Sequence, residues 1–347
     1  MTGAEWFGSA PGGLNRYFTE LYPALARQPG VSVSAAAFGT APDGARSWGA
    51  TGGSTPRRAG IALRDRGAAG ADILDRHFCL YGPPAAGGTA LVVHFHGPWA
   101  AESRVAGAGA LAVRAKYLLE RARYARAERF VVLSNHFRDL LNADYLVPAE
   151  RISVIAPGVD LDRFRMTPKP ADATTVLCVR RLEHRMGIDV LLRAWPAIRA
   201  DHPAARLVLV GTGTAEAELR SAAAGFGDSV IFAGHVDDAR LTELYEQAAL
   251  TVVPTTALEG FGLIALESLA AGRAPVVTEC GGLPDSVRGL DPTLIVPTGD
   301  AEALAARIAA ALHGKTPTAA ECRAHAETFS WDVTAARHLA MYQEIRR

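Results

Sequence analysis

At 347 residues the chain is long enough for about two domains of ordinary size, each able to bury its own core. Its 36 Lys and Arg balance its 36 Asp and Glu, which argues against bulk nucleic acid or an anionic membrane as the main partner. With 49% hydrophobic and 21% charged residues it is not a disordered chain.

In chain order, only Met1–Phe7 precedes Gly12 and Gly13. That stretch is short and polar for a central strand, so the first strand is either the stub Ala4–Phe7 or lies upstream. Gly13–Arg27 reads as a helix and Val31–Phe38 as a strand. Gly39–Gly70, rich in Gly, Ala, Arg and Pro without a clear period, reads as loops. Strands follow at Leu91–Phe95, Arg129–Leu133 and Ile152–Ile155, with helices at Glu102–Ala127 and Asn135–Tyr145. Arg165–Thr174 carries two prolines among polar neighbours and reads as a linker.

The second half is more regular. Apolar runs at Thr175–Val179, Leu207–Val210, Val230–Ala233, Leu250–Val253, Pro275–Thr278 and Leu294–Val296 have the character of strands buried on both faces. They alternate with helical segments at Gly187–Ala200, Thr214–Ala224, Asp238–Ala248, Phe261–Ala271 and Asp300–Leu312, and Trp331–Arg347 reads as a last helix. Such alternation predicts βαβ units and parallel sheets. The expected fold is α/β, with two Rossmann-like domains over 1–167 and 168–330 facing across a cleft, where ligands are favoured.

Cys79, Cys178, Cys280 and Cys322 are far apart, so no CxxC metal or redox site is expected, and Cys178 and Cys280 lie in apolar runs as buried thiols. Met1–Gly13 has neither a basic region nor an apolar stretch, and no apolar run approaches the ~20 residues of a membrane span. A cytoplasmic location is the expectation.

The segment with most chemical content is Ala257-Leu-Glu-Gly-Phe-Gly-Leu-Ile-Ala-Leu-Glu267. It follows a predicted strand and opens a predicted helix, whose free N–H groups form an anion site. Gly260 and Gly262 allow close approach of a ligand. Glu259 and Glu267, roughly 8–12 Å apart along a helix axis, could hold a sugar hydroxyl and a ribose hydroxyl on either side of a diphosphate. Two glutamates alone would equally fit a helix start and a solvated face. The accompanying segments weigh against that: Val179-Arg-Arg-Leu-Glu-His-Arg-Met-Gly187, Leu207-Val-Leu-Val-Gly-Thr-Gly213, Phe232-Ala-Gly-His-Val236 and Gly281-Gly-Leu-Pro284. The first half adds Pro11-Gly-Gly-Leu-Asn-Arg-Tyr17, His94-Phe-His-Gly97, Leu133-Ser134 and Ile155-Ala-Pro-Gly-Val-Asp160.

Together and in this order, these segments resemble the family 4 retaining glycosyltransferases, which have the two-Rossmann-domain GT-B fold and a Glu–seven residues–Glu signature. The resemblance implies a retaining, metal-independent enzyme that moves a sugar from a nucleotide diphosphate sugar, UDP favoured and GDP next, to a small-molecule, lipid or glycan acceptor. It needs no cofactor and no protein nucleophile, the leaving phosphate helping to deprotonate the acceptor. It implies catalytic roles for Glu259 at the donor sugar, His96 near the reacting carbon and Arg181 as the phosphate clamp. Gly13, Arg185, Gly211, Val236, Gly260, Phe261, Gly262, Leu263 and Glu267 would complete the donor site, with Glu267 on the ribose. Asn15 and Trp99 fall on the acceptor side, and His77 has no assigned role beyond shaping it. The family lysine after the phosphate-binding arginine is replaced by Met186, and Arg185 is the expected substitute; Arg180 is a third candidate expected to point away from Arg181. The last helix, 331–347, would cross back to the first domain.

Other signals carry less. Gly211-x-Gly213 lacks the third glycine of a nicotinamide fingerprint. Asp160-Leu-Asp162 reads as turn and cap chemistry, so no metal ligand is expected there. His94 reads as a hydrogen-bonded core residue. Val113–Arg129 carries six basic residues against two acidic ones on one predicted helix, which reads as a solvated face or a weak peripheral contact with anionic membrane. The Ala-, Arg- and Gly-rich composition suggests a GC-rich bacterial genome and leaves secondary metabolism open as the setting. Same-scaffold alternatives are an epimerase, a phosphorylase, a cyclitol transferase or a non-catalytic nucleotide-sugar-binding partner. The oligomeric state is not legible.

Overall fold

Parallel strands need long crossovers, and those crossovers cover both faces of the sheet, so each strand can be apolar throughout. The computed structural model describes every residue except Pro11, Ala106, Ala171, Asp172 and Arg347. Pro11 of the expected glycine loop, Ala171 and Asp172 of the expected linker and Arg347 of the last helix therefore lie outside the described residues. The chain divides into two units, Met1–Gly158 with Trp331–Arg347, and Val159–Ser330.

In the first unit seven parallel strands run in the order β3-β2-β1-β4-β5-β6-β7. They are β1 (Thr2–Glu5), β2 (Ala36–Phe38), β3 (Arg46–Ser47), β4 (Ile73–Arg76), β5 (Ala90–Phe95), β6 (Arg129–Val132) and β7 (Ile152–Val154). The helices are α1 (Gly13–Ala26), α2 (Thr55–Leu63), α3 (Trp99–Val105), α4 (Ala110–Tyr124), α5 (Asn135–Tyr145) and a C-terminal helix, Trp331–Ile345. Helix α1 buries Tyr17, Phe18, Leu21 and Leu25, and Tyr17 meets Trp331 of the C-terminal helix edge-on at 5.5 Å.

The second unit holds six parallel strands in the order β10-β9-β8-β11-β12-β13. These are β8 (Thr175–Val179), β9 (Arg206–Val210), β10 (Val230–Gly234), β11 (Leu250–Val253), β12 (Pro275–Thr278) and β13 (Ile295–Val296). They are covered by α6 (Ile188–Asp201), α7 (Glu216–Ala223), α8 (Asp238–Gln247), α9 (Leu263–Ala270), α10 (Ala301–Leu312) and α11 (Ala319–Glu327). Both sheets are Rossmann-like. In each the strand order reverses once, between β1 and β4 and between β8 and β11, and such switch points are where open α/β sheets bind ligands, at the carboxyl ends of the strands.

Several expectations shift. The domain boundary lies at Gly158/Val159 rather than 167/168: Val159 donates its N–H to Phe329 at 2.8 Å, and Phe164 packs edge-on against Tyr245 at 5.4 Å. The first strand is Thr2–Glu5, paired with β2 and β4, not the stub Ala4–Phe7. Only Ala36–Phe38 of the expected strand 31–38 is paired. The supposed loops over 39–70 contain β3 and α2, the latter anchored by an Arg58–Glu5 ion pair of 2.9 Å. The expected single helix 102–127 is split between α3 and α4 around Gly107, which has φ +83°. Strand β4 and helix α11 were not anticipated. The four cysteines are free and buried, and burial pushes the Cys178 thiol up to about 12. Among the described residues no helix is long and apolar enough to cross a membrane.

The C-terminal helix is tied to the first sheet by a polar contact in the core, where the Tyr342 hydroxyl donates to Asp75 at 2.5 Å. Hydrogen bonds to buried charges are the strong ones. Replacing Tyr342 with Phe is expected to lower the stability of the first unit by about 2 kcal/mol. An unchanged urea midpoint for that unit would show the contact to be dispensable.

Candidate functional site

The second unit gathers its functional side chains at the switch point between β8 and β11. Arg180 leaves β8 directly and Thr255 and Glu259 follow β11. The Arg180 guanidinium donates to both Thr255 and Glu259, and the two charged side chains are 9% and 15% exposed. The cation beside Glu259 is therefore Arg180, not Arg181, which is exposed. The two arginines do point apart, as an extended backbone requires, but the inward position belongs to Arg180. Strand β8 is apolar throughout, so alternation along it carried no signal of which arginine would face the site.

Two glycines permit this pairing. Gly211, at φ +130°, passes so close to β8 that a Cβ there would lie 2.0 Å from the Arg180 carbonyl. Gly281, at φ +56°, would place a Cβ 2.1 Å from the Glu259 carbonyl, and Gly282 donates its N–H to that same oxygen at 2.9 Å. The double glycine thus clasps the turn that carries Glu259. Leu258 in that turn is left-handed, at φ +56°, a conformation that costs energy for a leucine and is held by its surroundings.

Arg185 contributes to those surroundings. Its guanidinium donates to the Leu258 carbonyl at 3.2 Å and to that of Ala257 at 3.4 Å, while Thr256 donates its N–H back to the Arg185 carbonyl at 2.9 Å. The residue expected to replace the missing lysine at Met186 is thereby a brace for the Glu259 turn, and Met186 itself is buried.

Glu259 sits in the turn and not on the helix, because α9 begins only at Leu263. Gly262 precedes it with φ +91° and no side chain caps it, so its first N–H groups are open to an anion. Phe261 is buried beside them. Glu267, within α9, is 4% exposed and accepts a hydrogen bond from Tyr245 at 2.9 Å. Tyr245 was missed, because a tyrosine on an amphipathic helix reads as core. Val236 is half-buried just beyond β10.

In the first unit, Gly13 opens α1 and is exposed. Asn15 is turned inward and donates to the Ala10 carbonyl at 2.8 Å. His96 follows β5, with Tyr17 edge-on at 5.0 Å. Behind it lies a buried polar cluster. Asp75 of β4 faces His94 at 2.9 Å and His77 at 3.4 Å, and the His77 and His94 rings stack 3.7 Å apart. Burial works against ionisation of Asp75, but His94 and His77 outweigh it and hold its carboxyl well below the usual range. Burial draws His94 and His338 down to about 4 and lowers His77 and His96 as well. His94 is a core residue, as expected.

Trp99 starts α3, with the Lys116 ammonium over its ring at 4.8 Å. Next to it a groove of about 650 Å³ is lined by Pro98, Ala100, Arg104, Val113, Arg114 and Tyr117, among others. Helix α4 is less basic outside than its sequence implied. Arg123 turns in to the carbonyls of Cys79 and Gly82, at 2.6 and 3.0 Å, and Lys116 donates to Ser103. Glu120 is buried and accepts from Tyr145 and the Trp99 N–H. Among the described residues, two groups of side chains bring metal-ligand atoms close together: His77, His94 and His96, and the more exposed Asp201, His202 and His313.

A family model described as Glycosyltransferase Family 4 matches residues 11–163, and one described as Glycosyl transferases group 1 matches 173–314. The chain belongs to glycosyltransferase family 4. It is 35% identical over 223 residues to a D-inositol 3-phosphate glycosyltransferase of Thermobispora bispora, a match that covers 58% of this chain and 52% of that protein. The chain spans about half the length of the curated relatives it matches. Among solved structures, a sucrose-phosphate synthase from Thermosynechococcus elongatus superposes with a TM-score of 0.78 at 23% identity, over 99% of this chain and 98% of that one. The Anabaena protein HepE in complex with UDP gives 0.74 at 17% identity, over 99% of both. These likenesses place both Rossmann-like domains in the GT-B architecture.

The clasp on Glu259 is directly testable. Gly281→Ala forces its Cβ into the Glu259 carbonyl, and the resulting shift should destabilise the second unit by about 1–3 kcal/mol. Hydrogen exchange should quicken in the 257–262 turn, and protection equal to the wild type would mean that the turn does not depend on this glycine.

Proposed function

We propose that the protein is a retaining glycosyltransferase that takes a nucleotide diphosphate sugar as donor, UDP-linked before GDP-linked, and requires no metal for transfer. The observation that carries this is the Arg180–Glu259 pair set beside the uncapped N-terminus of α9. A leaving diphosphate gathers negative charge in the transition state, and preorganised cations and helix N–H groups favour that charge most where water is scarce. Arg180 is placed for it, with Arg185 bracing the turn. Glu259, with one oxygen held by Arg180, offers the other to a hydroxyl of the donor sugar. Glu267, which accepts from Tyr245, is assigned to the ribose by the family resemblance. His96 and Gly13 are assigned to the donor by the family resemblance alone. UDP as the preferred carrier is supported by the HepE complex.

The acceptor is proposed to bind in the groove of the first unit. Its walls are mainly apolar, with two guanidinium groups, Arg104 and Arg114, against one carboxylate, Asp144, which suits an acceptor with an apolar body and an anionic group. The names of the relatives, glycosyltransferases of an inositol phosphate, agree with an anionic acceptor. Helix α4 also exposes Leu111 and Leu118 on one side, with Arg114 and Arg121 at the intervening helical positions. We propose this strip as a weak contact for anionic membrane. Sedimentation with anionic vesicles should be lost at high salt and in a Leu111→Ser/Leu118→Ser double variant; equal binding to neutral vesicles would remove this reading.

A panel of UDP- and GDP-sugars, read by donor hydrolysis and by thermal shift, tests the enzyme itself. Arg180→Ala should lower kcat/KM by about 10²–10³-fold, and Arg181→Ala by less than about threefold. The reverse order would return the clamp to Arg181. Nucleotide binding without hydrolysis of any donor would favour a non-catalytic partner, and an isomerised or phosphorolysed donor a same-scaffold epimerase or phosphorylase. Tyr245→Phe should weaken UDP binding about tenfold while leaving kcat at saturating donor near the wild-type value.

A further inference from the structure

Arg180 and Glu259 share a third partner whose part in the chemistry no motif announced. We propose that Thr255 is a positioning residue for transfer: its hydroxyl ties Arg180 to one oxygen of Glu259 and so leaves the other oxygen for the donor sugar. The proposal rests on the reading of Arg180 and Glu259 as the donor-site pair.

Thr255 is fully buried two residues past the end of β11, at the carboxyl end of a strand beside the switch point. One nitrogen of Arg180, Nη2, donates both to the Thr255 hydroxyl and to Oε2 of Glu259. The Thr255 hydroxyl is itself 3.5 Å from that same Oε2, to which it donates. The three atoms close a triangle in which the hydroxyl accepts from the guanidinium and donates to the carboxylate. A hydroxyl can do both at once, and the apolar side chain of the same shape, valine, can do neither. Both contacts fall on Oε2 of Glu259.

The backbone of Thr255 is fixed from two sides. Thr278, at the end of β12, donates its hydroxyl to the Thr255 carbonyl at 2.6 Å. The adjacent Thr256 donates its N–H and its hydroxyl to the Arg185 carbonyl, at 2.9 and 3.1 Å. A β-branched side chain on a backbone held in this way has few directions for its hydroxyl.

A guanidinium and a carboxylate left to themselves favour the two-oxygen fork. In that arrangement Glu259 would have no oxygen to spare for the sugar. Engaging Arg180 Nη2 and Glu259 Oε2 together favours the one-oxygen arrangement instead. Thr255 acts through the pair and not on the nucleotide, so its loss should fall on the transfer step. A displacement of about 1 Å in such a pair can cost up to about 10²-fold in rate.

The test uses the full chain with the UDP- or GDP-sugar it hydrolyses fastest, and UDP affinity by calorimetry. Thr255→Val should lower kcat about 10–100-fold with UDP affinity within about twofold of the wild type, and Thr255→Ser should recover most of the lost rate. Thr255→Ala gives the same reading where the valine variant does not fold. In an Arg180→Ala background the added Thr255→Val should cost less than about threefold, whereas a loss of packing alone would cost as much as in the wild type. Wild-type kcat in Thr255→Val, UDP affinity falling in step with kcat, no recovery by serine, or an equal loss in both backgrounds overturns the proposal. An Arg180→Ala enzyme as fast as the wild type, or no turnover of any donor, removes the donor-site reading and this inference with it.

Discussion

Arg180 and Glu259 leave neighbouring strands whose crossovers run to opposite sides of the second sheet, and the rest of that unit is arranged around keeping them together. A guanidinium and a carboxylate largely out of water are stable only with good geometry and further partners. Thr255 supplies one such partner, and Arg185 supports the turn from beneath. Gly211 and Gly281 let the backbone come close enough for the pair to form. The same constraint explains the strained Leu258: the chain must reverse sharply after β11 to bring a carboxylate back over the strand ends before α9 begins.

The first unit meets a related problem differently. It buries an anion, Asp75, in a central strand and sets imidazole rings and the Tyr342 phenol against it. Its neighbour Arg76 is also buried and donates to the Pro83 carbonyl. Burial, with the Arg123 guanidinium nearby, lowers that guanidinium to about 9. Consecutive buried charges of this kind are tolerable only when the surrounding fold supplies dipoles to each. The C-terminal helix does part of this for Asp75, which is why a segment distant in sequence is integral to the first unit.

These features account for what the sequence concealed. Strand β4 was missed because Asp75 and Arg76 break the apolar run that identifies a buried parallel strand. Helix α2 was missed because Ala62 is the one residue it buries, leaving almost no periodicity. The second-half strands were legible to within a residue, since each is apolar and bounded by turn residues. Asn135–Tyr145 was likewise plain, with Ser134 capping it by accepting from the Phe137 N–H.

The parallel α/β class, the order of strands and helices from β8 to α10 and the segment that carries Glu259 and Glu267 all follow from local pattern, because burial on both faces and helix capping leave a periodic trace in composition. Which arginine faces Glu259, how Glu267 is held by Tyr245 and that four histidines gather around one carboxylate do not follow from it. Those depend on side-chain direction at strand ends and on contacts between residues far apart in the chain, such as Asp75 with Tyr342. No local periodicity records them.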